Sequence, residues 1–406
     1  MLLTIVGGTY RETCLSPPWD QLYGSGLRAA TVVAYSGECK VSLVTAIDRS
    51  NVNELKLRTK SPRIQLRQYR RAHPIGYHYA HPLGTPTVSP GLDIITPRLC
   101  APITVDAALL FGMVESRMTI RSRCLVYDPQ SPHAALPPSL LRAKADRLCI
   151  VANVSELRSM TTALSGPVES TIKAAKFLLQ REGAEAVVVK DGVRGARVVT
   201  EAAVRSIPCY RTPEVFKIGS GDVFSAVFAL NWMIRSQDVV TAAFVASRET
   251  ARYCASQSLS ILKDPVIEKY PACRTRSTGK RQIYLAGPLF NVPERWFVDE
   301  TVRVLERFGL KVFSPMHDVG TSPDTSAIAR SDLAGLDASR VVFAVVDGVD
   351  CGTIFEIGYA IAKGKPVITY GERVADSDMT MLYGTRVQHY RDYAAAIYHA
   401  AWLSLA

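Results

Sequence analysis

VVFAVVDGVDCGTIFEIGYAIAKGKPVIT, Val341 to Thr369, holds one complete strand, loop, helix and strand. The run Val341–Val346 has the β-branched density and the length of a strand buried on both faces. A loop with Asp347, Gly348, Asp350 and Gly352 follows it. The next apolar residues, Ile354, Ile357, Tyr359, Ala360 and Ile361, suit an amphipathic helix, which Gly364 and Pro366 close. In such a unit ligands bind beyond the carboxyl ends of the strands, where Asp350 and Glu356 stand. Glu356 falls in the first turns of the helix between Phe355 and Ile357, so partial burial is expected. The helix dipole alone favours a carboxylate there. Asp350 precedes it by six residues, however, and Asp332 lies upstream, so three carboxylates can converge on one crevice. Like charges raise one another's pKa and make an acid and a base from identical groups.

Three motifs carry a resemblance. IYLAGPLFN (Ile283–Asn291), SDLAGLD (Ser331–Asp337) and DCGTIFEIGYA (Asp350–Ala360) resemble, in order and spacing, the nucleoside 2-deoxyribosyltransferase family. The resemblance implies that Glu356 is the nucleophile at C1′ of the sugar, that Asp332 transfers a proton to the leaving base, and that Asp350 contacts the sugar's 5′ end. It implies no cofactor for this part of the chain. The chemistry matches the two-carboxylate logic of glycosidic cleavage. Related enzymes acting on nucleoside 5′-monophosphates carry a small hydroxyl residue at the position of Asp350. A carboxylate accepts a hydrogen bond from a free 5′-hydroxyl and repels a phosphate dianion, so an unphosphorylated nucleoside is the expected substrate. Gly287 and Pro288 let backbone approach the ligand, Gly352 belongs to the same strand-end loop, Phe290 is placed to stack on a base, and Tyr284 to lie near the sugar. Core packing is the alternative for both aromatics. In the resembled family the carboxyl-terminal region completes a neighbour's site, so a homo-oligomer is expected.

A chain of 406 residues is long enough for two or three domains. No apolar run approaches a membrane span, and the amino terminus, MLLTIVGGTY, reads as a first strand rather than a signal peptide. The nine cysteines show neither CxxC pairs nor metal-ligand spacing, which fits free thiols in a reducing cytoplasm. The net charge of +11 is dispersed, with small clusters only at Leu66–His73 and Cys273–Arg281. Solubility and anionic small substrates account for it as well as nucleic acid does, and nucleic acid binding ranks last.

Upstream, Leu2–Val6 and Ser42–Asp48 read as strands, and 51–102 is left open between a small β lid and irregular loops. From Ile103 the runs ITVDAALLFG, RCLVYDPQ, RLCIVAN and AEAVVVKDG alternate with helical segments, which predicts a mostly parallel α/β sheet covered on both faces. Three loop motifs follow: NVSE with Asn153 and Glu156, the hairpin VVVKDGVRGARVV (Val187–Val199), and KIGSGDVFSAVFALNWM (Lys217–Met233). Gly219, Ser220 and Gly221 ahead of a long apolar helix offer backbone N–H groups and the positive end of the helix dipole, an anion site. Asp222 beside it is placed to take a proton from an attacking hydroxyl; an ordinary helix cap is the alternative.

Together these motifs resemble the ribokinase-like (PfkB) carbohydrate and nucleoside kinases over residues 1 to 262. The resemblance implies a three-layer α/β/α domain at 1–262, a linker at 263–281, and a flavodoxin/Rossmann-like parallel α/β domain at 282–406. It implies ATP and Mg²⁺ as cofactors, Asp222 as catalytic base, Gly219–Gly221 as anion hole, and Asn153 and Glu156 as organisers of Mg²⁺ and phosphates, Glu156 acting on the metal indirectly. Asp128 matches a position near the phosphate channel. Two departures stand out: Phe216, Lys217 and Ile218 replace a Thr-rich approach, and GSGLRAA carries Ala30 where an asparagine is expected. Two functions remain open for this half, a kinase acting on a sugar or nucleoside, and a non-catalytic nucleotide or nucleoside sensor that regulates the other half. The partners expected are small molecules: a nucleoside, a base or a sugar.

Overall fold

A computed structural model of the protein describes residues 1–132, 134–168, 170–261, 270–273, 282–320 and 323–406. It divides into two units, Met1–Thr212 with Phe216–Pro271, and Pro213–Val215 with Ala272–Ala406. The linker expected at 263–281 lies outside the described residues except for 270–273, as does most of the basic run at 273–281.

The strands of the first unit are, in chain order, β1 (Leu2–Val6), β2 (Arg11–Cys14), β3 (Trp19–Leu22), β4 (Lys40–Ile47), β5 (Ile64–Arg70), β6 (Gly76–Tyr79), β7 (Thr87–Ser89), β8 (Arg98–Leu99), β9 (Ile103–Phe111), β10 (Ser116–Arg117), β11 (Ile120–Asp128), β12 (Lys144–Asn153), β13 (Ala186–Lys190), β14 (Ala196–Val199) and β15 (Val204–Ile207). Nine of them form one sheet in the order β15-β14-β13-β12-β11-β9-β1-β4-β5. Pairing is parallel from β13 to β5 and turns antiparallel only at β14 and β15, so the hairpin expected at Val187–Val199 is the β13–β14 pair. Successive residues of the central strands enter opposite cores: Cys124 and Val126 face one, Leu125 and Tyr127 the other. The helices are α1 (Gly24–Ser36), α2 (Val52–Arg58), α3 (Val154–Ser165), α4 (Thr171–Glu182), α5 (Ser220–Ala229) and α6 (Val239–Ser256). Buried residues of α1, α5 and α6 share one core, and those of α3 and α4 the other. This is the three-layer α/β/α arrangement. Helix α1 approaches the end of β1 so closely that a Cβ on Gly26 would lie 2.4 Å from the Gly7 carbonyl oxygen.

The stretch 51–102 resolves into ordered parts. It supplies α2, the edge strand β5, and β6 and β7, which join β2 and β3 in a four-stranded sheet of order β3-β2-β6-β7. Its periodicity is weak because β5 and β7 are largely exposed and carry little apolar alternation.

The second unit comprises β16 (Gln282–Ala286), α7 (Val292–Arg307), β17 (Lys311–Phe313), α8 (Thr325–Ala338), β18 (Val341–Val345), α9 (Cys351–Ala362), β19 (Val367–Tyr370), α10 (Thr380–Tyr383), β20 (Gln388–Tyr390) and α11 (Tyr393–Leu405). Its sheet is wholly parallel, in the order β17-β16-β18-β19-β20. The chain direction across the sheet therefore reverses between β16 and β18, the switch point at which open α/β sheets bind ligands. The carboxyl-terminal helix α11 is rich in aromatic residues; the Asp392 carboxylate caps it by accepting from Ala395 N–H at 2.6 Å, and it packs on its own unit's sheet. No helix among the described residues is long and apolar enough to cross a membrane, and all nine cysteines are free thiols.

Candidate active sites

At the switch point of the second unit, β16 places Tyr284 and α9 places Glu356 so that the Tyr284 hydroxyl donates to Glu356 Oε1. Tyr284 is fully buried and stacks on Phe313, with centroids 5.6 Å apart. Burial lifts the Glu356 carboxyl to about 7; the Tyr284 hydrogen bond pulls it down, and the charges of Asp332 and Asp350 add to the rise. Asp332, on α8, is likewise raised by burial, and its Oδ1 is buried with no hydrogen-bond partner. A buried carboxyl oxygen with no protein partner is left free to meet a polar group of a ligand. The two carboxyls thus sit in different surroundings, one hydrogen-bonded by a phenol and the other with a buried oxygen left open.

Asp350 is the N-cap of α9. Its Oδ2 accepts from Thr353 N–H at 2.7 Å and from the Thr353 hydroxyl at 2.9 Å, which fixes the carboxylate beside the strand end. The preceding Gly348 and Val349 both have positive φ, 86° and 48°. A β-branched residue in that region is strained, and the strain sits next to Asp350. Asp347 anchors the loop from the other side, accepting from Glu372 and Arg373 N–H at 2.8 Å each.

In the first unit the carboxyl ends of β11, β12 and β13 carry Asp128, Asn153 and Lys190, and Asp222 opens α5. Gly219 has φ 77°, and the Ser220 N–H is bonded to Lys217 O at 3.1 Å, so the first-turn amides that follow form the positive end of α5. A Cβ on Gly221 would lie 3.6 Å from Lys190 Nζ and 3.8 Å from Gln130 Nε2. Amides, an ammonium and a carboxamide around a glycine suit a phosphoryl group. Lys190 Nζ and Ser225 Oγ each donate to Asp128 Oδ2 at 2.6 Å, while Asp128 Oδ1 is buried without a partner. Burial works against the Lys190 charge, but Asp128 and Glu156 outweigh it and raise its pKa.

Asp222 is held from both sides. Its Oδ2 accepts from Arg28 Nη1 and its Oδ1 from Gln130 Nε2, both at 2.6 Å. Arg28 is 1% exposed and also pairs with Glu12, whose Oε1 accepts from Nη1 at 3.1 Å and whose Oε2 accepts from Nη2.

These two clusters are where comparison with known proteins applies. Residues 115–263 match the model of the pfkB family carbohydrate kinases, and residues 283–388 that of the nucleoside 2-deoxyribosyltransferases. Two separate segments of the chain thus each match the model of an enzyme family. Among solved structures it is similar to the ribokinase of Thermotoga maritima (16% identity, 67% of this chain and 96% of that one, TM-score 0.48). It is also similar to the Methanocaldococcus jannaschii nucleoside kinase (13%, 64% and 93%, TM-score 0.47) and to the Burkholderia thailandensis nucleoside kinase, whose structure is a complex with inosine (14%, 64% and 93%, TM-score 0.46). Comparison with curated proteins gives no match.

In the deoxyribosyltransferase segment, Tyr284, Asp332 and Glu356 come together, and Gly287, Pro288, Asp350 and Gly352 lie at the same carboxyl end of the sheet. A Cβ on Gly287 would stand 3.2 Å from Val345 Cβ. Phe290 is 70% exposed on the turn before α7, so within one chain it has no apolar shell. His317 bridges Ser314 and Asp299, at 3.0 and 2.8 Å. In the pfkB segment Asn153 and Glu156 form a reciprocal capping box on α3, and burial, foremost, lifts Glu156 to about 7. Among the described residues no three His, Cys, Asp or Glu gather to hold a metal ion. The reading by spacing missed Arg28, Glu12, Gln130 and Lys190. One signal was present: Arg28 is the only charge in the apolar stretch GSGLRAATVVAYS, and a charge in a buried helix needs a partner.

Proposed function

We propose that the deoxyribosyltransferase segment cleaves the N-glycosidic bond of an unphosphorylated nucleoside. The observation that carries this reading is the partly buried Tyr284–Glu356 hydrogen bond beside the orphaned Asp332 oxygen. Glu356 attacks C1′; the C1′–N bond breaks with its electron pair passing to the base, and Asp332 supplies the proton. Asp332, now ionised, takes a proton from water or from a second base, whose attack on C1′ frees Glu356. The Asp350 carboxylate, fixed by Thr353, receives the 5′-hydroxyl and turns away a 5′-phosphate. A panel of ribo- and deoxyribonucleosides with their 5′-monophosphates, followed by chromatography, tests the reading. Base release from nucleosides, lost in Glu356→Ala, supports it, and faster cleavage of the monophosphates refutes the role of Asp350.

For the pfkB segment the corresponding reading is phosphoryl transfer to a sugar or nucleoside hydroxyl. ATP with Mg²⁺, when bound, supplies the phosphoryl group. The Gly219–Gly221 loop, through the first-turn amides that follow Ser220, and Lys190 would hold its charge, Glu156 would act on the metal only indirectly, and Asp222 would take the hydroxyl proton. With both activities present, glycosidic cleavage comes first and phosphorylation of the released sugar second. A specific observation favours a second reading: both oxygens of Asp222 are engaged by Arg28 and Gln130, as suits a binding module that regulates the other segment. ATP turnover abolished by Asp222→Asn selects the kinase; ATP binding without turnover, changing the rate of nucleoside cleavage, selects the sensor. Free thiols suit the cytoplasm, and a homo-oligomer would give the exposed Phe290 a partner.

A further inference from the structure

Arg28 does more than occupy Asp222. Its guanidinium lies flat against the GSGD loop: a Cβ on Gly219 would stand 2.1 Å from Nε and 2.2 Å from Cζ, so only glycine fits over it. Nε is buried without a partner. One edge of the group meets Asp222 at the head of α5, and another meets Glu12 on β2 of the four-stranded sheet. Glu12 Oε1 also accepts the Gly24 N–H at 3.1 Å, at the start of α1. A single buried cation therefore joins β2, α1 and α5. Each oxygen of Asp222 already accepts a hydrogen bond at 2.6 Å, Oδ2 from Arg28 and Oδ1 from Gln130, so a hydroxyl that is to give its proton to this carboxylate meets the guanidinium first.

We infer that Arg28 is the gate of the pfkB-type site: bridged between Glu12 and Asp222, it stands where the acceptor hydroxyl must stand, and phosphoryl transfer to a hydroxyl requires it to leave. The inference rests on the reading of this segment as a nucleoside triphosphate site. With Arg28 in place the site holds a nucleotide without an acceptor. With Arg28 withdrawn, Asp222 accepts the acceptor's proton, the acceptor oxygen bonds to the terminal phosphorus, and the bond from that phosphorus to the bridging oxygen breaks to leave the diphosphate. Glu12 makes the gate a property of the small sheet as well, since β2 cannot move from α5 while the bridge holds.

The test uses the full-length protein. ATP·Mg²⁺ binding is measured by calorimetry, and turnover is measured with a panel of sugars and nucleosides as acceptors. The double variant Arg28→Gln/Glu12→Gln removes the buried charges together, so neither Glu12 nor Arg28 is left unpaired, and a glutamine at 12 can still accept from Gly24. The expected result is ATP binding in the wild-type protein with slow turnover, and at least a tenfold gain in turnover in the folded double variant, abolished when Asp222→Asn is added. Wild-type turnover as fast as the variant's, or a gain that survives Asp222→Asn, overturns the gate. Glu12→Gln alone must speed amide hydrogen exchange in β2 and β3, and unchanged exchange also overturns it. ATP binding in neither wild type nor variant refutes the triphosphate reading beneath the inference, an outcome that the calorimetry separates from a failed gate.

Discussion

Replacing Tyr284 by phenylalanine removes one hydroxyl from a buried position and leaves the stack on Phe313 in place. That hydroxyl donates to Glu356, and the bond is among the causes that hold the carboxyl down at about 7 against its burial. A hydrogen bond to a charged group contributes about 1.5–3 kcal/mol, and about 1.36 kcal/mol is one pKa unit, so the Glu356 pKa moves up by roughly one to two units. The nucleophile must be ionised. The acid limb of kcat/KM, expected near pH 7 in the wild type, therefore shifts to about pH 8–9 in Tyr284→Phe. At pH 7 the ionised fraction drops from about one half to about 1–10%, a loss of roughly 5- to 50-fold in rate that recovers as the pH rises. Base release measured from pH 5 to 10 gives the profile. An unmoved limb, or one that moves to lower pH, refutes the assignment of Glu356 as the group that must ionise and of Tyr284 as its support.

The raised pKa of Glu356 also bears on stability. A carboxyl whose folded pKa lies above its unfolded value loses stability as pH climbs from the unfolded value through about 7, so Glu356→Gln should stabilise the second unit at pH 8 by about 1–2 kcal/mol after discounting for solvent and by much less at pH 5, read from thermal melts at both pH values. Asp350→Ser keeps a capping oxygen for α9 and removes the charge, so melting should hold steady while cleavage of a nucleoside 5′-monophosphate rises relative to the nucleoside; unchanged selectivity excludes Asp350 as the discriminator. Val349→Gly should leave the melting temperature equal or raise it, because relief of about 1–2 kcal/mol of left-handed strain exceeds or matches the added chain entropy of about 0.5–1 kcal/mol; marked destabilisation contradicts the strain at φ 48°. Gly26→Ala should prevent the first unit from folding, seen as lost β4 and β9 amide protection, since its Cβ would lie 2.4 Å from backbone.

The two sites differ in how much of them sequence discloses. Glu356, Asp350 and the strand before them lie within one short segment, so periodicity places them at the same strand end. Tyr284 follows because β16 runs parallel beside β18, whereas Asp332 lies on α8 and is joined to them by its motif rather than by periodicity. The capping roles of Asp350, Asn153 and Glu156 are equally local and do not exclude binding roles. Arg28 is another matter. Its partners are Glu12 on a different sheet and Asp222, 194 residues away in the chain, and no spacing rule joins them. The same holds for Lys190 with Asp128 and for Gln130 with Asp222: each contact is set by the order of strands in the large sheet. The stretch 51–102 was undecidable for another reason, because an edge strand and a small sheet with exposed faces carry little apolar alternation.

The central claim, that Glu356 attacks the sugar, is tested most directly by mixing the protein with a cleavable nucleoside, quenching in acid within milliseconds to seconds, and weighing the intact chain and its peptides by mass spectrometry. The account predicts one added sugar, without its base, on the peptide that contains Glu356, and none in Glu356→Gln. Base released at the wild-type rate by Glu356→Gln, or a sugar adduct found on another residue, would contradict it.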